Sequence, residues 1–192
     1  MTMSEVQMAN PWDARPWAEQ GDKNENDVFV AVGKALSHWE LLEQAIASLF
    51  TLVTVGSYHA PLAPTLRAYS SVASSHNRIQ MVRAAVESWL REWKGCPLRE
   101  NVLTLLTECS GWAGRRNDIA HGLVDRFTDE FKKGWFLVPG LYARKGRNEF
   151  GKVDYRYNAE IICGFSNQFL ELHNRFHETV SAMGEWHRIV KG

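Results

Sequence analysis

Residues 27–53 read DVFVAVGKALSHWELLEQAIASLFTLV, and the spacing of their apolar members decides the fold class. Val28, Val32, Ala35, Leu36, Trp39, Leu42, Ala45, Ile46, Leu49, Phe50 and Val53 recur at intervals of three and four, the signature of one buried helical face. The spacing predicts a helix starting near Asp27, whose carboxylate is placed to cap the free amides, and ending before Gly56.

Working outward, residues 1–25 are polar, punctuated by proline and without period, and are expected to form a loosely ordered arm pinned by Trp12 or Trp17. Residues 26–192 then form the helical domain. Downstream, SYHAPLAPTLRAYSS predicts a turn and a short helix. Ser74 or Ser75 caps a third helix, with Ile79, Val82, Val86, Trp89 and Trp93 on one face and Lys94-Gly95 closing it. Pro97 suits the first turn of a fourth helix, which runs through Val102, Leu105, Leu106, Cys109, Ala113 and Ala120 to a left-handed terminator at Gly122. The period then changes: GWFLVPGLYA and KVDYRYN, separated by the basic loop RKGRNEFG, are expected to pair as a hairpin. From about Ala159 to His187 helical spacing returns. The fold class expected is all-α, an up-and-down helical bundle with a two-stranded β-hairpin inserted before the last helix.

Composition narrows the function. A chain of 192 residues, 45% hydrophobic and 23% charged, suits one ordinary soluble domain. Lys plus Arg and Asp plus Glu number 22 each, so no global field draws the protein to nucleic acid or anionic lipid, and a polyanion site must be a local patch. Cys96, Cys109 and Cys163 are odd in number and sit at no metal or redox spacing, as free thiols in a reducing cytosol would. The N-terminal MTMSEVQMANPWDARPW lacks a signal-peptide core, and no run approaches the roughly 18 apolar residues of a membrane span. A cytoplasmic protein without membrane contact is the expectation.

The chemistry concentrates in GRRNDIAHG, residues 114–122, the predicted end of the fourth helix. Asn117 and His121 are four apart and share a face, whereas Arg116 is turned about 140° from His121 on an ideal helix. A histidine gives and takes a proton near neutrality, an arginine presents a fork of donors to phosphate, and an amide orients either. Together they suit work on a phosphodiester. For Arg116 and His121 to act together, the helix must unwind locally or a second subunit must contribute. A plain helix end is the competing explanation: Arg115, Arg116 and His121 would then offset the negative end of the helix dipole, with Asp118 a surface charge beside Arg115.

Arg116-Asn117-Asp118-Ile119-Ala120-His121 resembles the signature of HEPN domains, an arginine and a histidine four to six residues apart with a polar residue after the arginine, and Gly122 matches the RNxxAHG form. The resemblance covers the helical body, about residues 26–187. It implies an up-and-down bundle, often homodimeric, whose two motifs face one another across a cleft. Many members are metal-independent ribonucleases of toxin-antitoxin, phage-defence or RNA-processing systems, needing no cofactor and in some cases a cognate antitoxin or defence partner. Carried over, His121 is the general acid or base, Arg116 holds the scissile phosphate and Asn117 orients the group beside it. Basic residues also cluster locally, Arg115, Arg126, Lys132 and Lys133 with Arg144, Lys145 and Arg147 of the hairpin loop, and would flank such an RNA; a solvated hairpin tip is the plainer reading of that loop. Catalytically silent members that bind nucleic acid, nucleotide or a protein are the alternative. A scaffold assembling through its tryptophan-rich face is a third reading.

Other constellations are weaker. His173 and His177 have a chelating spacing but no HExxH context, and a packed helix face is the simpler account, so no metal site is expected. His38 and His76 read as half-buried partners. Glu40 and Glu43 are candidates to ion-pair with the Arg116 fork. Cys109 lies on an apolar face, where thiols are inert, and neither GxGxxG nor GxxxxGK occurs.

Overall fold

The computed structural model describes residues 10–56, 63–129, 132–140 and 154–192. Among them are five helices, α1 (Glu25–Val55), α2 (Ala63–Ser71), α3 (Ser75–Glu92), α4 (Arg99–Ala120) and α5 (Ala159–Lys191), and one antiparallel hairpin, β1 (Gly122–Asp129) and β2 (Lys132–Pro139). The chain is thus mostly helical, with a hairpin before the last helix, as expected. Among the described residues no helix is long and apolar enough to cross a membrane.

The helix boundaries follow local chemistry. Asn24, rather than Asp27, caps α1, its Oδ1 accepting from the Asn26 amide at 3.0 Å; Asp27 lies within the first turn. Gly56, with φ of 77° and its amide on the Leu52 carbonyl at 2.8 Å, supplies the left-handed stop. Ser74 caps α3 through the Asn77 amide. Pro97 falls just ahead of α4 instead of in its first turn. Asn158 and Asp22 cap α5, accepting from the Ile161 and Ala159 amides at 3.0 and 2.7 Å.

Two compact units divide the described residues, one comprising those through Leu36 with Gly114–Asn167, the other Ser37–Ala113 with Gln168–Gly192. The second is helix packed on helix. Trp39, Leu42, Ile46 and Leu49 of α1 are buried there with Val82 and Val86 of α3, Leu105 and Leu106 of α4, and Phe169 and Phe176 of α5. Trp39 meets Phe169 edge-on at 5.1 Å, and Trp112 meets the same ring at 6.2 Å. Each such large side chain contributes about 1.5–3 kcal/mol by leaving water. At another place in this unit, Trp89, Trp93, Trp186 and His187 form a contiguous ring cluster.

The first unit is built around β2. The expected strand GWFLVP is there, but its partner is the upstream GLVDRFTD: Gly122 pairs with Pro139 and Asp129 with Lys132. Only residues 130 and 131 separate β1 from β2, and so short a link favours antiparallel pairing. KVDYRYN, the expected partner, contributes isolated bridges, Tyr157 to Leu137 and Arg156 to Trp17. Gly122 consequently begins a strand and does not end α4 in the left-handed region. On the other edge of β2, Asp22 and Trp135 exchange both backbone bonds at 2.9 and 2.8 Å. Gly134, at φ of 123°, makes this approach possible, since a Cβ there would lie 2.7 Å from the Gly21 carbonyl carbon. Phe136 and Val138 pack with Ala18, Phe127 and Ile161 as a small core. Arg156 is buried, stacked 4.8 Å from the centroids of both Trp17 and Phe136, and donates through Nε to the Ala18 carbonyl at 2.7 Å. This pins residues 17 and 18, fulfilling the anchoring expected of Trp17.

Candidate functional site

The last two turns of α4 place two neighbouring arginines in opposite environments. Arg115 is 7% exposed. Its Nη2 donates to the Asp13 carbonyl, and its Nη1 lies 3.8 Å from Asp118. Arg116 is half-buried; Nη1 reaches the adjacent Asn117 Oδ1 at 3.4 Å, and Nε is buried with no acceptor. Among the described residues no carboxylate pairs with Arg116, so its fork is the uncommitted one.

Asp118 corrects the surface-charge reading. It is 8% exposed and stands at the centre of a polar network. Arg15 grips it with two bonds, Nε to Oδ2 at 2.8 Å and Nη2 to Oδ1 at 3.1 Å. Tyr157 donates its hydroxyl to Oδ2 at 2.9 Å, and Tyr155 donates to the Asp118 backbone carbonyl at 2.9 Å. Residues two apart on an extended chain point the same way, and the two tyrosine rings accordingly stack at 4.5 Å. Burial first, then the Asp118 charge, pushes both phenols above their ordinary range, so they remain donors. The hydrogen bond to Asp118 likewise raises Arg15.

His121 and Asn117 are exposed. The His121 amide donates to the Asn117 carbonyl at 3.0 Å, the bond of an unbroken helix, so Asn117 and His121 do share a face. Local unwinding, one of the two routes for bringing Arg116 round to His121, is not taken. Among the described residues Arg116 hydrogen-bonds to Asn117, and no hydrogen bond joins it to the His121 ring. Behind His121 the chain is tight: a Cβ at Gly140 would lie 2.6 Å from the His121 carbonyl oxygen.

The other expected RNA contacts are dispersed. Arg126 is exposed on β1, its guanidinium 5.9 Å from the centroid of Trp135, the residue opposite. Lys133 is exposed on β2. Arg144, Lys145 and Arg147 lie outside the described residues. Glu43 does not serve Arg116: its Oε1 accepts from Trp39 Nε1 at 3.1 Å, and its Oε2 accepts from the Tyr69 hydroxyl at 2.7 Å and pairs with Arg78 at 3.2 Å. Glu40 is exposed. The His173 and His177 rings lie 6.3 Å apart, with His173 Nδ1 3.0 Å from the Leu41 carbonyl. No group of three or more metal-ligating side chains occurs among the described residues.

Asp118 and its partners are what sequence reasoning missed. The spacing of Tyr155 and Tyr157 signalled a shared side, but nothing local announced Arg15, 103 positions away. Against protein-family models, curated proteins and solved structures, the chain finds no match.

Proposed function

We propose that the chain is a metal-independent endoribonuclease of the HEPN kind. The observation that carries this reading is the contrast between Arg115 and Arg116. A dipole-compensating helix end has no reason to commit one arginine to Asp13 and leave its neighbour with a buried, unmatched Nε, an arrangement that costs about 1–3 kcal/mol. A phosphate would be met by the Nη groups of the planar guanidinium, which no carboxylate among the described residues holds.

In this reading Arg116 holds the scissile phosphate and stabilises its developing charge, while Asn117 orients the group beside it. His121 takes the proton of the 2′-hydroxyl. The 2′-oxygen bonds to phosphorus, the bond from phosphorus to the 5′-oxygen breaks, and water returns a proton to the leaving oxygen. Because α4 stays regular through His121, the site is composite: Arg116 of one copy serves with His121 of a second across a two-fold axis. Arg126 and Lys133 flank the RNA; Arg115, consumed within the fold, leaves that set. A toxin-antitoxin or phage-defence setting, with a cognate partner restraining the enzyme in the cytoplasm, fits such an activity.

The experiment is cleavage of a defined RNA by the purified chain with EDTA present. Products ending in 2′,3′-cyclic phosphate, lost in His121→Ala and Arg116→Ala, are the expected result. Intact RNA, together with harmless expression in cells, would instead establish the silent, binding-only reading.

A further inference from the structure

Within the helical unit, far along the sequence from the Arg116 motif, a shallow depression of about 440 Å³, open to solvent, lies among α1, α2 and the start of α3. That volume lies in the range of small-ligand sites, about 300–1,000 Å³. Ala47, Leu66 and the Tyr69 ring supply apolar lining, and Glu43 and Arg78 supply charge. Glu40, Arg67 and Ser70, all exposed, stand at its edges as one negative charge, one positive charge and one hydroxyl.

The inner charges of the lining, Glu43 and Arg78, are paired with one another. Both oxygens of the buried Glu43 are engaged, by Trp39 on one and by Tyr69 and Arg78 on the other, and the second lining carboxylate, Glu40, stands exposed at the edge. Burial, then the Glu43 charge, holds the Tyr69 phenol well above its ordinary range, so it stays a donor. Arg78 is held from two sides, by Nη1 on Glu43 at 3.2 Å and by its guanidinium carbon 5.6 Å from the Tyr69 ring centroid. On the remaining side of its fork Nη2 is the donor left for an anion. Nε is buried without an acceptor.

We propose that this depression binds a small ligand carrying a carboxylate or phosphate on an apolar body, the anion on Nη2 of Arg78 and the body against Leu66, Ala47 and Tyr69. Glu43 and Tyr69 position the arginine and do not touch the ligand. None of these residues belongs to the RNA-cleaving proposal, so the test below stands whatever that assay shows.

The test is NMR of the full ¹⁵N-labelled chain, following the Arg78 Nε–H signal during titration with benzoate, phenyl phosphate, inorganic phosphate and sodium chloride. A saturable shift with benzoate or phenyl phosphate, at a dissociation constant near 1 mM or below, is expected, and whichever binds more tightly identifies the anion. Arg78→Lys, which keeps the charge and loses the fork, should weaken binding at least tenfold. Leu66→Trp, a change at a side chain 37% exposed that fills the depression without disturbing the Glu43 pair, should do the same. The proposal is overturned by an absence of saturation, by an equal response to chloride, by inorganic phosphate binding as tightly as phenyl phosphate, or by unchanged binding in Leu66→Trp.

Discussion

Arg15 and Asp118 are 103 residues apart, yet the guanidinium meets both carboxylate oxygens, at 2.8 and 3.1 Å. Asp118 is one residue from Asn117 and three from His121. The polar centre of the motif is therefore braced by the N-terminal arm, while Asn117 and His121 remain exposed.

Loss of the brace should be visible in stability. Arg15→Ala removes a partly exposed partner and should cost about 1 kcal/mol, whereas Asp118→Ala strands Arg115 and Tyr157 as well and should cost about 3 kcal/mol. Urea denaturation measures both. An Asp118→Ala variant as stable as the parent would return Asp118 to the surface.

For the composite site, complementation is decisive. Arg116→Ala and His121→Ala should each lower RNA cleavage by about 10²–10⁴-fold with unchanged melting temperature. Mixed after unfolding and refolding, the two inactive variants should recover about a quarter of parental activity. Half of the dimers are then mixed, and one of the two sites in each is intact. Sites contained within one chain would recover nothing.

Alkaline pH should unfold the first unit through its tyrosines. Tyr155 and Tyr157 have native pKa values raised above the ordinary 10.0, so above that pH the unfolded chain releases protons the native one retains. Stability is fully present below about pH 10 and falls as pH rises toward the native values. Tyrosinate absorbance from these rings should appear together with the loss of circular dichroism, and Tyr157→Phe should shallow the pH dependence. Ionisation of both in the folded protein would refute their burial against Asp118.

Gly134→Ala tests the seam between the arm and β2. The methyl would meet the Gly21 backbone at a backbone angle that L residues resist, and a loss of at least about 2 kcal/mol is expected. Faster amide exchange at Asp22 and Trp135 should accompany it.

The helices were legible in the sequence because each is decided locally, by spacing and caps: α3 starts after Ser74, and α5 begins at Ala159 as expected. The hairpin was half legible. GWFLVP carries its own strand signal, but which neighbour it pairs with depends on loop length and competition, and GLVDRFTD wins over KVDYRYN. The motif was legible as residues and not as roles. Arg115 and Arg116 are identical in sequence terms, and only the position of Asp13, about a hundred residues earlier, separates a structural arginine from an available one. Glu43 shows the same limit, since its partner Arg78 is fixed by how α1 and α3 pack.

The brace on Asp118 also sets an order of events during synthesis. Arg15 is made ahead of the rest of this network: Asp118, which it grips, and then Tyr155 and Tyr157, which bond Asp118, are added more than a hundred residues later. At ordinary translation rates the wait is on the order of ten seconds. Through that interval the arm has none of these partners to hold. The end of α4 gains its full support only once Tyr157 has been added, so a nascent fragment that ends soon after Arg116 and His121 is not yet a braced one.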